Sequence, residues 1–337
     1  MEFPKITAIP WGHLADGREI ICYTLCHANG LTLEVLNYGG IIRRLAVPDR
    51  FGNLQNVVLG FDHLEDYLNN SPYLGALVGR YANRIAYGKY PSSTGQVQLS
   101  VNHGKHHLHG GHQGFDRSVW DICTDVSSEQ PRLKLSIQSP DGEEGFPGNL
   151  SISVEYIFTP EGSLQLVYTA ESDRETIVNL TQHSYFNLGG ELNKAVDEHR
   201  CQINASSVLA VDRALMPTGK FSPLDASPLD FRLEKPLDAS QTYDHCYVLE
   251  TTAGEMKCAA KVFDPGSGRA MEVWTDQPGV QLYIPQTLPQ PFVSRGAFCL
   301  ETQNFPDAPN HPHFPTAVLL PGQIYRSETH YNFSVIH

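Results

Sequence analysis

The chain has 337 residues, with 24 Lys and Arg against 37 Asp and Glu, a formal net charge of −13. That balance argues against a nucleic-acid partner, whose affinity comes from clustered cations. No apolar run approaches the roughly 20 residues a membrane span requires, and Met1-Glu2-Phe3-Pro4-Lys5 lacks a basic start followed by an apolar stretch. The length admits one to three domains. No linker, composition shift or fixed-period repeat divides the chain, so residues 1–337 are expected to form one domain.

Taken in chain order, two-residue alternation of apolar and polar side chains predicts strands over 31–38, 133–137, 150–158, 164–168, 271–274 and 280–284. The clearest is 150–158, where Leu150, Ile152, Val154, Tyr156 and Phe158 are spaced by two, with Ser151, Ser153, Glu155 and Ile157 between them. Turn signals separate the runs: Asp16-Gly17, Asp141-Gly142, Glu161-Gly162 and Pro265-Gly266-Ser267-Gly268. Helical spacing is confined to 62–70, where Leu64, Tyr67 and Leu68 stand at i, i+3 and i+4. The expected fold is all-β, a large antiparallel β-sandwich with one short helix.

Seven cysteines at 22, 26, 123, 201, 246, 258 and 299 fit neither a disulfide framework nor paired metal knuckles, which points to the cytoplasm. Five imidazoles, His103, His106, His107, His109 and His112, raise a metal site. A cupin-like pair at His107-x-His109 would be followed closely by a glutamate, whereas Gly110, Gly111, His112 and Gln113 follow. No metal is therefore expected, and His103, His106, His107 and His112 are read as decoration of a solvated turn. There is no G-x-S-x-G elbow and no glycine-rich phosphate loop, so neither a covalent serine nor a nucleotide cofactor is indicated.

What remains are acids, amides and imidazoles beside aromatics, which suit a carbohydrate: hydroxyls meet the polar groups while C–H faces meet rings. On residue types alone, an acid–base enzyme and a non-catalytic sugar-binding module are equally good readings. Four blocks carry more. Arg80 with Ala82-Asn83-Arg84-Ile85, then Leu108-His109-Gly110-Gly111 with Gly114-Phe115-Asp116, then Asn179-Leu180-Thr181 with His183-Ser184-Tyr185-Phe186-Asn187, and Leu300-Glu301-Thr302-Gln303, occur in an order that closely resembles the galactose mutarotase (aldose 1-epimerase) family. Tyr243-Asp244-His245 strengthens the likeness, which runs over nearly the whole chain.

The resemblance implies a β-super-sandwich with no cofactor and no metal, acting on a small-molecule aldose. It implies Glu301 as general base and His183 as general acid, with His109 beside them, and Asn83, Arg84, Asp244 and Gln281 holding sugar hydroxyls. Tyr185 and Phe186 are expected to pack in the core. A hexose-6-phosphate mutarotase would need further basic residues placed to meet the phosphate, and no such cluster stands out beyond Arg80 and Arg84. The sequence departs from many relatives at Ile284-Pro285-Gln286, which bears on the rim of the cleft and on sugar preference.

Overall fold

The computed structural model describes residues 5–70, 72–126, 130–250 and 254–337. A nine-stranded antiparallel sheet runs in the spatial order Asp121–Asp125, Arg132–Ser139, Leu150–Phe158, Leu164–Ser172, Tyr325–Val335, Arg269–Thr275, Lys257–Phe263, Arg200–Ile203, Lys235–Pro236. A five-stranded sheet is built from the N-terminal Lys5–His13, Glu19–Cys26, Thr32–Leu36, Ile42–Pro48 and Leu54–Asn56. A second five-stranded sheet orders Pro217–Pro223, Ala205–Val211, Asp244–Leu249, Gly279–Tyr283 and Cys299–Gln303. The all-β expectation holds.

Each of the six alternating runs coincides with a strand, although 31–38 is strand only over Thr32–Leu36 and Ile284 falls just past Gly279–Tyr283; in Leu150–Phe158 the five expected apolar residues are buried. Burying each such side chain contributes about 1.5–3 kcal/mol, which fixes which face of the strand turns inward. They join a continuous core that draws on all three large sheets, including Leu33, Val154, Val273, Val280 and Leu300. The helix forms at Leu64–Asn70, starting at the first residue of the apolar spacing and two residues after the start of the expected 62–70 stretch, with Leu64 and Tyr67 buried in a second cluster beside Tyr185. The Tyr67 hydroxyl accepts the backbone N–H of Phe61 at 2.9 Å and anchors the helix start.

Alternation alone does not mark the central strand of the large sheet, Tyr325–Val335. Two of its inward positions are Ser327 and Thr329, each 1 % exposed, where an aliphatic would announce the core. Their polarity is satisfied internally: the Thr329 hydroxyl lies 2.5 Å from that of Thr302, and Ser327 Oγ lies 3.1 Å from the Tyr325 hydroxyl.

The second five-stranded sheet positions the site. Gln281 stands opposite Glu301 and also opposite Cys246, while Asp244 stands opposite Tyr283. Opposed residues in an antiparallel pair share a face, so Asp244, Gln281, Tyr283 and Glu301 lie on one face. Tyr247, Val280, Leu282 and Leu300 point the other way, into the core.

Candidate active site

Three chain segments deliver the polar groups to that face. The short strand Arg84–Ile85 pairs with His107–Leu108, and just beyond the pairing His109 N–H donates to the Asn83 carbonyl at 3.1 Å. The following turn is possible because Gly110, at φ 89°, has no Cβ; one would fall 1.8 Å from the Gly79 carbonyl oxygen. Thr181–Gln182 pairs with Leu77–Val78 and leads into His183, whose N–H donates to Ala76 O at 2.9 Å and whose carbonyl accepts from Gly75 N at 3.0 Å. The Thr181 hydroxyl donates to Thr302 O at 2.9 Å, tying this segment to the strand that carries Glu301.

These segments enclose a cavity of about 280 Å³ lined by Pro72, Tyr73, Asn83, Arg84, His103, Leu108, His109, His183, Tyr185, Asp244, Tyr283 and Glu301. A roomier cleft of about 740 Å³ near Phe305 and Tyr325 has fewer ionisable groups. Its Asp276 is already engaged by the Glu328 N–H and by Gln277. Volume therefore does not choose between the two; the convergence of acid, base and amide groups does.

Glu301 and His183 face each other, Oε1 to Nε2, at 3.7 Å, with side chains 3 % and 5 % exposed. Burial pushes the Glu301 carboxyl up to about 8, with the Asp244 charge adding to the rise and Arg84 opposing it. Burial likewise pulls His183 down to about 4, against weaker support from its own backbone and Asp244. Both shifts have the same cause, desolvation of the charged form, which carries Glu301 past neutrality and His183 further below it. Desolvation therefore favours a neutral carboxyl facing a neutral imidazole over the ion pair.

His109 is also buried and sits well below its usual imidazole value, chiefly through burial and then through His183 and Arg84. Its Nδ1 accepts the backbone N–H of Asn83 at 3.1 Å, so the hydrogen of the neutral ring is on Nε2. His109 is a fixed hydrogen-bond donor and a poor proton donor. The backbones of Asn83 and His109 adopt left-handed φ values of 65° and 51°, a conformation that costs free energy and persists where the surroundings enforce it.

Asp244 accepts from Gln281 Nε2 at 2.5 Å on one oxygen and from Arg84 Nη2 at 3.3 Å on the other. The Asn83 side-chain carbonyl accepts from the Arg84 backbone N–H at 2.9 Å. Six of the seven residues singled out in the sequence line the cavity. Gln281 stands one layer behind, its amide committed to Asp244.

Among the described residues, one group has the spacing of a metal site: His109, His183 and Glu301, with ligand atoms within 4.8 Å of one another. The tautomer of His109 opposes it. Ligation through Nε2 would move the ring hydrogen to Nδ1, against the Asn83 N–H that Nδ1 now accepts.

One reading needs correction. His107 is not on a solvated turn: it is 0 % exposed, with Nδ1 2.9 Å from Ser100 O and its ring edge-on to Phe146. Tyr185 is buried as expected but also lines the cavity, its ring stacked 5.0 Å from that of His183. Its place two positions after His183 puts it in the same block, a signal that was available. Tyr283, two positions after Gln281 on the same strand, and the rim residue His103, six before His109, carried a similar signal, whereas only tertiary structure brings Tyr73 to the cavity. Arg80 lies outside the cavity lining, its guanidinium donating to Ser139 Oγ, Ser139 O, Pro140 O and Pro147 O.

Known proteins resemble this chain over nearly its whole length. Residues 22–332 match the family described as aldose 1-epimerase. The galactose mutarotase of Sus scrofa is 38% identical, covering 98% of this chain and 99% of that protein. The aldose 1-epimerase of Escherichia coli K12 is 32% identical, with 94% and 96% covered. The crystal structure of galactose 1-epimerase from Lactobacillus acidophilus superposes with a TM-score of 0.88 at 26% identity, covering 99% of this chain and 100% of that one. By this extent and identity, the chain belongs to the aldose 1-epimerase family.

Proposed function

We propose that the cleft formed by Asn83, Arg84, His109, His183, Asp244 and Glu301 interconverts the α and β anomers of a free hexose. Glu301 takes the proton of the anomeric hydroxyl while protonated His183 delivers one to the ring oxygen, so the C1–O5 bond opens to the aldehyde. Rotation about C1–C2 presents the other carbonyl face. The two residues then exchange roles: the 5-hydroxyl attacks C1 as it gives its proton to His183, and Glu301 returns one to O1.

This direction needs Glu301 ionised and His183 charged, the minor of the two one-proton arrangements in the resting site. An anomeric hydroxyl donating to Glu301 favours the carboxylate form and shifts the balance the required way. His109 supplies a neutral N–H to the sugar, and Arg84 and Asp244 meet its hydroxyls, with Gln281 holding Asp244 in place. The observation that carries this reading is the buried His183–Glu301 pair 3.7 Å apart on the cavity wall.

A phosphorylated hexose is less well served, because Arg80 is consumed by carbonyl oxygens and Arg84 is paired with Asp244. The continuous core across the three large sheets supports treating residues 1–337 as one domain. Among the described residues no helix is long and apolar enough to cross a membrane. The seven free cysteines support a cytoplasmic location.

Polarimetry or NMR exchange on freshly dissolved pure anomers, with spontaneous mutarotation subtracted, tests the proposal. Acceleration for free hexoses is the expected result. Sugar binding without any acceleration would leave a carbohydrate-binding module.

A further inference from the structure

Tyr73 lies outside the acid–base pair and the hydroxyl-binding groups, yet it touches both imidazoles. Its ring centroid is 4.6 Å from that of His109, and 6.0 Å from that of His183 with the planes only 23° apart. The two imidazoles are themselves 5.4 Å apart at 73°. The turn that presents Tyr73 clasps the histidine strand at several points: Tyr185 Oη donates to Pro72 O at 2.8 Å, Gly75 N–H to His183 O at 3.0 Å, and His183 N–H to Ala76 O at 2.9 Å. Within that clasp Tyr73 holds φ at 61°, a left-handed conformation that bulky side chains avoid. A strained backbone that aims one ring at two site histidines is what a positioning role requires.

On this basis, and resting on the anomer-exchange reading above, we infer that Tyr73 is a positioning residue: its ring closes one wall of the cleft to water and holds His183 in register with Glu301. His183 faces Glu301 and Tyr283 from the sheet, His109 from the paired short strands, Tyr185 from its own segment and Tyr73, and Asp244 and Arg84 line the same cavity. Glu301 lies 3.7 Å away but is itself held largely neutral, and Arg84 is committed to Asp244. The exclusion of water by the flanking rings therefore governs how readily His183 takes a proton. The sign follows: opening the Tyr73 side to solvent eases the desolvation that now depresses His183, and its proton affinity rises toward the ordinary imidazole value of 6.5.

The test compares wild type, Tyr73→Phe and Tyr73→Ala in anomer exchange across pH, with kcat and KM separated. Tyr73→Phe keeps the ring and should retain both the rate and the pH limits of wild type. Tyr73→Ala should lose roughly tenfold in kcat at neutral pH with little change in KM, as expected when a reacting group is loosened. Its acidic limb should move to higher pH. A Tyr73→Ala loss that is equal at every pH, or that falls wholly on KM, would overturn the inference. If circular dichroism finds Tyr73→Ala unfolded, Tyr73→Leu replaces it under the same criteria. NMR titration of His183 in wild type and Tyr73→Leu needs no turnover. An unmoved His183 midpoint there overturns the role of Tyr73, whereas a raised midpoint in a protein that does not catalyse exchange upholds it and sinks the functional reading instead.

Discussion

His183 Nε2 and Glu301 Oε1 stand 3.7 Å apart, beyond hydrogen-bond length, and the other polar atoms of the two groups, His183 Nδ1 and Glu301 Oε2, are buried with no hydrogen-bond partner among the described residues. An acid and a base so placed are coupled to each other through the substrate rather than neutralised by a neighbour.

The wild-type kcat/KM should therefore be bell-shaped in pH. The one-proton state of the pair is the active one, so the acidic limb reports gain of a second proton and the basic limb loss of the last. Burial places these limits on either side of neutrality, near about 4 for His183 and about 8 for Glu301. Both midpoints belong to the pair. A profile flat from pH 5 to pH 9 after subtraction of the spontaneous rate would contradict a titrating pair.

Glu301→Gln keeps shape and hydrogen bonding but removes the base, and anomer exchange should fall by roughly 10² to 10⁴. His183→Asn should cause comparable loss. Stability should move the opposite way at high pH. The folded protein holds the Glu301 carboxyl above its ordinary value, so its contribution is fully present below about 4.5 and is lost as pH rises through about 8. Glu301→Gln lacks that penalty, and its Tm relative to wild type should rise between about pH 4.5 and about pH 8 and level off above. A folded variant with near wild-type exchange would transfer the base role to another carboxylate, Asp244 being the nearest candidate on this face.

Asp244→Ala removes a carboxylate held by Arg84 and Gln281 and leaves the guanidinium without its counter-charge. Hydrogen bonds to charged groups are worth about 1.5–3 kcal/mol, so kcat/KM should fall about 10- to 100-fold. Gln281→Ala should act in the same direction but more weakly, because it reaches the sugar only through Asp244. Equal kcat/KM in wild type and folded Asp244→Ala would place Asp244 outside the binding set.

Exhaustive dialysis against a strong chelator should leave anomer exchange intact. The reason is the hydrogen bond that fixes His109 with its hydrogen on Nε2, the atom a metal would need. Loss of turnover on chelation, restored by zinc, would mean that the ring tautomer inverts on metal binding.

The alternation in Leu150–Phe158 and the turn signals around it were enough to specify an antiparallel β-protein, because burial of every second side chain is a local property of the chain. The blocks around Asn83, His109, His183 and Glu301 were likewise legible, since their residue types and order match a known family. The strand Tyr325–Val335 escaped that logic because Ser327 and Thr329 are buried through hydroxyl pairing, which no local pattern encodes. The electrostatics escaped it too. His183 and Glu301 lie 118 positions apart, and the desolvation that depresses one and raises the other exists only once Tyr73, Tyr185 and Tyr283 have closed around them. Sequence alone determined which groups are present; the tertiary structure decided that His107 packs against Phe146 while His109 enters the cleft, that Gln281 stands behind Asp244, and where the shared proton rests, because burial and through-space charge depend on neighbours that the chain brings together only by folding.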